Sequence, residues 1–261
     1  MIENESSIPP VEPDSILATP PESPPQEPAV ASYPFWGYLD VSLFFCVTLF
    51  GWFAVNLVLW VLHPHVSKPV FVLLPSQCVI YVVSFFALYS ILERHYGQPF
   101  WLSLRWVGTR PGAGRAILYG FALAFGVVFT GMALRTPDIQ TPMKDLLSDR
   151  TSILLIAVFA VTLGPLCEEL AFRGFLQPVL VRTFGAAPGV LLAALPFGLL
   201  HLPEYSWSWR HGLLITIAGA GFGWMRHVSG STRAATIMHA AYNFLFFAAM
   251  FSQKGGIPRA W

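Results

Sequence analysis

Charged residues are scarce in this sequence: Asp, Glu, Lys and Arg make up 11% of its 261 residues, while hydrophobic residues make up 55%. Soluble domains carry about 25% charged residues, so the composition excludes an ordinary soluble protein. The chain also lacks runs of Lys and Arg, and its formal net charge is only +1. A nucleic-acid partner is therefore not expected, and the partner that the composition predicts is the lipid bilayer.

Two kinds of site motif are also absent. The cysteines lie within apolar runs and do not have the close spacing of a metal site. No His-Glu-x-x-His sequence occurs, which excludes the soluble-type zinc proteases that depend on that motif. Any catalytic site in this chain therefore uses other residues.

Apolar runs near the ~20 residues that cross a bilayer recur along the chain. They predict an all-α fold, a polytopic transmembrane helical bundle of about seven spans, with eight as the alternative count. The predicted spans are residues 39–62, 70–92, 116–134, 152–181, 189–202, 212–225 and 234–251. Two of these spans are short, and the fourth is expected to kink at Gly164-Pro165. We expect these helices to surround an intramembrane polar cavity.

The composition divides the chain into four segments. Residues 1–33 are rich in Pro and in acidic residues and have no Lys or Arg, so this N-terminal tail is predicted to be disordered. Residues 34–150 are predicted to form transmembrane helices and interfacial loops. Residues 151–251 form the core that holds the polar motifs described next, and residues 252–261 form a C-terminal tail.

The sequence GPLCEELAFRGFLQ, from 164 to 177, places charged residues at the end of the fourth apolar run. A charged side chain at membrane depth costs from ~3 to ~10 kcal/mol or more, depending on the scale. Glu169 and Arg173 are at i and i+4 with the acid first, so they can pair on one helical face. Glu168 is rotated by about 100° from Glu169. We therefore expect Arg173 to neutralise one acid and the other acid to remain for chemistry.

Two later helices also carry polar residues within apolar runs. His201 follows Phe197 by one helical turn, and His239 and Asn243 are at i and i+4 on the last predicted span. A lone intramembrane His is most often a packing residue that makes one hydrogen bond. Two His, one Asn and two Glu on three helices, within about 75 residues, are instead typical of a functional site.

Together the three patterns resemble a known family. Glu-Glu-x-x-x-Arg at 168–173, Phe-x-x-x-His at 197–201 and His-x-x-x-Asn at 239–243 are similar to the signature motifs of the CPBP intramembrane proteases. This family includes the type II CAAX prenyl endopeptidases and the bacteriocin-processing, or "Abi", proteins. The resemblance covers roughly residues 150–250, so residues 151–251 are expected to form a CPBP-type catalytic core.

The resemblance implies an intramembrane, glutamate-dependent endopeptidase that cleaves a peptide bond near the membrane surface. Glu168 is then the general base that activates a water, with help from His201. His239 and Asn243 stabilise the oxyanion that forms at the scissile carbonyl. Such a base fits the setting, because positioned acids and bases and fixed donors are most effective in a water-poor site.

The same resemblance implies roles for three supporting residues. Glu169 and Arg173 hold the helix and orient Glu168, and Phe197 packs beside the site. Metal dependence is left open at this point. One zinc ion bound by Glu168, His201 and His239 is one alternative, which the description of the family as metalloproteases favours. A metal-free glutamate mechanism that uses the same residues is the other.

The implied partner is a peptide or protein substrate. In some relatives it is a prenylated C-terminal tail, and in bacterial members it can be a peptide such as a bacteriocin. The composition of the N-terminal tail and the lack of organellar signals favour a multi-pass protein of a bacterial plasma membrane. Two other functions are weighed against the protease: a non-catalytic membrane binding or scaffold protein of the immunity type, and a proton-coupled carrier.

Overall fold

The computed structural model describes residues 32–62, 68–109, 112–147 and 149–252. Throughout these residues the regular secondary structure is helical, without strands, as expected where each backbone polar group must find its partner within its own segment. The α-helices in chain order are α1 (Tyr38–Leu62), α2 (Val70–Tyr89), α3 (Phe100–Ser103), α4 (Ala113–Ala133), α5 (Pro142–Leu146), α6 (Arg150–Val161), α7 (Leu163–Glu169), α8 (Gln177–Phe184), α9 (Ala186–Leu200), α10 (Trp209–Ser229) and α11 (Thr232–Ser252). Three turns have other hydrogen-bond patterns, which are π-helical at Ser90–His95 and Leu170–Leu176 and 3₁₀ at Leu202–Tyr205. The predicted all-α fold is confirmed.

Within the described ranges, five segments are long and apolar enough to cross a membrane. They are Tyr38–Val61, Val70–His95, Ala113–Ala133, Arg150–Phe184 and Thr232–Ser252. The apolar helix α9 is shorter, and α10 extends beyond the predicted run of residues 212–225 at both ends. The polytopic bundle is confirmed, and the count of seven spans stays a prediction.

The outward surface of α1 is mostly apolar. Leu39, Phe50 and Trp60 are exposed by 83%, 76% and 77%. Burying apolar surface away from water is worth about 25 cal/mol per Å², so side chains of this kind are stable when lipid covers them. The protein is an integral membrane protein.

The predicted tails lie almost entirely outside the described residues, which begin at Ser32 and end at Ser252. The disorder predicted for residues 1–33 and the tail predicted for 252–261 therefore stay predictions. Tyr33, at the boundary of the predicted tail, is described. Its hydroxyl oxygen accepts a hydrogen bond of 2.8 Å from Arg226 Nη2.

Aromatic packing fixes the start of the chain's helical part against its centre. Trp36 Nε1 donates to the carbonyl of Phe175 at 2.9 Å, and the two rings stack with centroids 5.3 Å apart. Both side chains are buried, with exposed fractions of 1% for Trp36 and 0% for Phe175. Since Phe175 belongs to the π-helical turn Leu170–Leu176, this contact anchors the turn that follows the two glutamates.

A glycine sets the position of α11. A Cβ at Gly120 of α4 would lie 2.4 Å from the carbonyl oxygen of Met238 in α11, so only glycine permits this approach of the two helices. Ala124, one turn later, is also buried. These small residues let α11 pack closely against α4.

The long fourth run is broken, as predicted, close to Gly164-Pro165. The break lies at Thr162, whose φ of −122° and ψ of −85° are not helical. Pro165 has no N–H group, so the carbonyl four residues before it, at Val161, loses its helical donor. The break lets α7 start in a new direction and carry its two glutamates into the bundle.

Candidate active site

A cavity of about 560 Å³ lies among α2, α6, α7, α9, α10 and α11. Four motif side chains line it: Glu168 of α7, His201 at the end of α9, and His239 and Asn243 of α11. Phe197 lines it as well. The fold therefore brings together residues that come from three separate helices, and the predicted polar cavity is present.

The two adjacent glutamates have different surroundings. Glu169 Oε1 lies 2.9 Å from Arg173 Nη1, and both side chains are completely buried. Glu168 is only partly buried and faces the cavity. The predicted i,i+4 pair is confirmed, and it compensates the charge of Glu169 inside the protein, leaving Glu168 as the acid at the cavity.

Arg173 also binds the backbone of α10. Its Nη2 donates to the carbonyl of Gly219 at 2.7 Å, and one turn later Gln177 Nε2 donates to the carbonyl of Gly223 at 2.9 Å. A Cβ at Gly219 would lie 3.0 Å from Arg173 Nη2, and one at Gly223 would lie 2.7 Å from Gln177 Oε1. Glycine at these two positions thus lets two buried polar side chains reach main-chain acceptors.

Phe197 packs beside the Glu169–Arg173 pair and lines the cavity. It therefore lies beside the site, as predicted. The Arg173 Cζ atom lies 4.4 Å from the centre of its ring, where the face of an aromatic ring attracts a cation. The same ring lies 4.7 Å from that of His201 and 5.9 Å from that of His239. Phe197 therefore separates the buried ion pair from the cavity and supports both histidines.

Glu168 receives a hydrogen bond that the motifs did not predict. Tyr81 of α2 donates its hydroxyl to Glu168 Oε1 at 3.0 Å. The Tyr81 ring stacks on Phe159 of α6, with centroids 5.6 Å apart and planes 6° apart. The sequence did contain a signal, because Gln77 and Tyr81 are polar residues at i and i+4 in an apolar run, and both line the cavity.

His201 has a defined ring orientation. Its Nδ1 lies 2.7 Å from the carbonyl oxygen of Phe197. A carbonyl oxygen only accepts hydrogen bonds, so Nδ1 carries the proton in this contact. The Nε2 atom of the neutral ring is then an acceptor. His201 can therefore accept a hydrogen bond from a water or a substrate N–H in the cavity.

His239 is held by a carboxylate and an aromatic ring. Its Nδ1 lies 3.0 Å from Glu169 Oε1, and its ring stacks on Phe222 with centroids 4.3 Å apart. Because an ionised carboxylate only accepts hydrogen bonds, Nδ1 is the donor. The Nε2 atom can donate to a substrate only when the ring carries both protons.

Asn243 spans the gap between α11 and the broken helix. Its Nδ2 donates to the carbonyl of Ala160 at 2.7 Å. That carbonyl lies just before the break at Thr162, where helical donors are missing. One amide hydrogen and the Oδ1 atom are left over from this bond, so Asn243 can still contact a ligand in the cavity.

A third glutamate, which the sequence analysis missed, also lines the cavity. Glu204, in the 3₁₀ turn after His201, lines the cavity together with Tyr205. Burial raises the pKa of Glu204; His201 counteracts this effect and Glu168 adds to it. Burial, with the nearby charge of Glu204, raises the pKa of Tyr205 to about 12. Tyr205 therefore stays a neutral phenol at ordinary pH.

Two of the three candidate zinc ligands are engaged in other contacts. Glu168, His201 and His239 all line the cavity, but Glu168 bonds to Tyr81 and His239 bonds to Glu169. Within the described part of the chain, no group of three or more His, Cys, Asp or Glu side chains is close enough to hold a metal ion. The contacts of Glu168 and His239 do not fit a preformed zinc site, and the proposed mechanism does not use one.

Comparison with known proteins gives one match. Residues 150–245 match the family model described as Type II CAAX prenyl endopeptidase Rce1-like. Neither the search of curated proteins nor the search of solved structures found a match. The matched residues contain all three motifs, including the four polar motif side chains that line the cavity. Through this segment the chain is similar to the Type II CAAX prenyl endopeptidase Rce1-like family, a family of proteases.

Proposed function

We propose that the protein is an intramembrane endopeptidase that hydrolyses a peptide bond near the membrane surface with a water activated by Glu168. The observation that carries the proposal is the convergence of Glu168, His201, His239 and Asn243 on one cavity. A cavity that brings together an acid, an imidazole acceptor and further polar groups contains the parts that water attack on an amide requires.

Glu168 is the proposed base. It is the motif acid at the cavity, whereas Glu169 is completely buried and bonded to Arg173 and His239. A water between Glu168 and His201 would give its proton to the carboxylate as its oxygen attacks the scissile carbonyl. The protonated Glu168 would then give that proton to the amide nitrogen as the C–N bond breaks, which releases an amine and a carboxylic acid. The Nε2 acceptor of His201 supports this role, because it can hold the water's second hydrogen and aim the oxygen lone pair at the carbonyl.

His239 and Asn243 are the proposed oxyanion donors. The Nε2–H of His239 and the remaining amide hydrogen of Asn243 would then meet the negative charge that develops on the carbonyl oxygen. Fixed donors of this kind lower the barrier most where water is excluded.

The chemistry of the cavity wall suits a membrane-proximal peptide. Most of the lining is apolar, including Leu73, Leu74, Ile156, Phe246, Phe247 and Met250. Polar groups lie at the mouth, among them Asp138, Lys144 and Glu204. A substrate with an apolar or lipidated flank and a polar end fits both parts. A prenylated C-terminal tail and an unlipidated apolar peptide are the two substrates to compare.

Cleavage assays with purified protein in detergent test the proposal. Matched peptides with and without a prenyl group are offered to the wild type, to Glu168→Gln and to Asp145→Asn. The control Asp145 undergoes the same acid-to-amide change, but it is exposed and does not line the cavity. Cleavage by the wild type and by Asp145→Asn, and none by Glu168→Gln, supports the protease. If the wild type and both variants cleave the peptides equally, and Glu168→Gln is correctly folded, the role of Glu168 is refuted.

Two further arms separate the alternatives. A strong zinc chelator should leave the rate unchanged, because the proposed mechanism uses the chain's own side chains. If the monodisperse wild type binds the peptides without cleaving them, the scaffold function gains support instead. If the protein in liposomes conducts protons and Glu168→Gln abolishes the current, the carrier gains support.

A further inference from the structure

Tyr81 contributes to the cavity from a part of the chain that the three motifs do not include. It lies on α2, whereas the family match begins at residue 150. Its hydroxyl donates to Glu168 Oε1 at 3.0 Å. Among the described side chains, Tyr81 is the hydrogen-bond partner of Glu168. Glu169, by contrast, is held by both Arg173 and His239.

The Tyr81 hydroxyl has little freedom to move away from this contact. Its ring lies flat against Phe159, with planes only 6° apart and centroids 5.6 Å apart. Phe159 lies on α6, just before the break that precedes the glutamates. One neighbour thus fixes the plane of the phenol, and the hydrogen bond then fixes the position of the carboxylate. A glutamate side chain that nothing holds must lose its rotamer freedom when it is ordered for reaction.

We propose that Tyr81 is a positioning residue that orients the Glu168 carboxylate for water activation, an inference that rests on the proposed function of Glu168. The phenol occupies one oxygen of the carboxylate with a charge-assisted hydrogen bond. The other oxygen is left to face the water. Because Tyr81 acts through Glu168 and does not bind the reacting bond, its loss slows the chemical step and leaves substrate binding intact.

Tyr81→Phe is the variant that isolates this contact, because it keeps the ring that stacks on Phe159 and removes only the hydroxyl. We expect kcat to fall about 10- to 100-fold, the range for a hydrogen bond to a charged group. KM should stay near its wild-type value. The control is Tyr89→Phe, which removes a hydroxyl from the same helix two turns further along, outside the cavity lining, and should keep the wild-type kcat.

A thermal double-mutant cycle tests the contact without any activity. Tyr81→Phe should lower the Tm of the wild type but leave the Tm of Glu168→Ala unchanged, because the shared hydrogen bond is already lost there. Equal Tm losses in both backgrounds would overturn the inference, and so would an unchanged kcat of Tyr81→Phe in an active enzyme. If the wild type cleaves nothing, the proposed function fails, and the cycle still decides whether Tyr81 holds Glu168.

Discussion

One carboxylate oxygen of Glu169 lies within hydrogen-bond distance of two side chains at once. Oε1 lies 2.9 Å from Arg173 Nη1 and 3.0 Å from His239 Nδ1. The neighbouring Oε2 is buried without a hydrogen-bond partner among the described residues. Glu169 thereby links the structural pair on its own helix to the proposed oxyanion donor on α11, and its removal should affect both stability and rate.

Glu169→Gln should destabilise the protein strongly. Removing one partner of a buried ion pair costs about 3–5 kcal/mol, because the other charge is left buried and uncompensated. Thermal unfolding in detergent measures the loss of Tm. The double variant Glu169→Leu/Arg173→Leu removes both charges and should recover much of the Tm. It should stay inactive, because His239 has lost the carboxylate that orients it; full activity of the double variant would contradict this coupling.

Gly219→Ala should weaken the same pair from the side of α10. The added Cβ would lie 2.9 Å from Phe197 Cδ1 and 3.0 Å from Arg173 Nη2, so the guanidinium must give up its bond to the Gly219 carbonyl. We expect a lower Tm and reduced cleavage. Gly126→Ala on α4 is the control, since its Cβ would meet nothing within 4 Å, and alanine there should be neutral or stabilising. Equal Tm values for the two variants would contradict the prediction.

His239→Ala and Asn243→Ala should each lower kcat by about 10²–10³-fold, the usual cost of losing one oxyanion donor. KM should change less, because the donors act mainly on the charge that develops in the transition state. Steady-state kinetics on the cleaved peptide measures both constants. His227→Ala is the control, since this exposed histidine lies at the far end of α10 and outside the cavity lining. A change confined to KM would argue for substrate binding instead.

Glu204 should make stability depend on pH. Burial raises its pKa, with His201 opposing and Glu168 adding to the shift. The folded state therefore binds the proton more tightly than the unfolded state, whose pKa is about 4.3. The resulting stabilisation is present below that value and is lost as pH rises through the folded-state pKa.

Glu204→Gln cannot ionise, so its Tm relative to the wild type should increase from acid to neutral pH. Melting curves of both proteins at several pH values measure the difference. A difference that does not vary with pH would show that the ionisation of Glu204 is not linked to folding.

Local spacing predicted the parts of the site that lie within one helix. The Glu169–Arg173 pair and the shared face of Phe197 and His201 follow from helical geometry alone. The bond between His239 and Glu169 joins residues 70 positions apart, and no periodicity specifies it. The same limit explains why the contact of Tyr81 with Glu168 was missed, although the polar residues of α2 marked the correct helix face.

Hydropathy misplaced the ends of α10 for a physical reason. The apolar run lies between Arg210 and Arg226, but the helix extends from Trp209 to Ser229. It stops at Gly230, which has a φ of 66°, a left-handed conformation that glycine adopts at little cost. Arg226 can lie within the helix because its Nε and Nη2 donate to Thr232 and Tyr33. Charged residues therefore ended the apolar run without ending the helix.

Helix α2 forms one wall of the cavity. Leu73, Leu74, Gln77 and Tyr81 line the cavity, yet all four precede the segment that matches the family. Residues 150–245 expressed alone would have an open cleft where the cavity is closed by α2. The reactive side chains and part of the surface that meets a ligand are thus encoded in separate halves of the chain. Apart from Tyr81, which bonds to Glu168, the residues of the α2 wall can diverge while the motifs are kept, so ligand preference can change without a change in the chemistry.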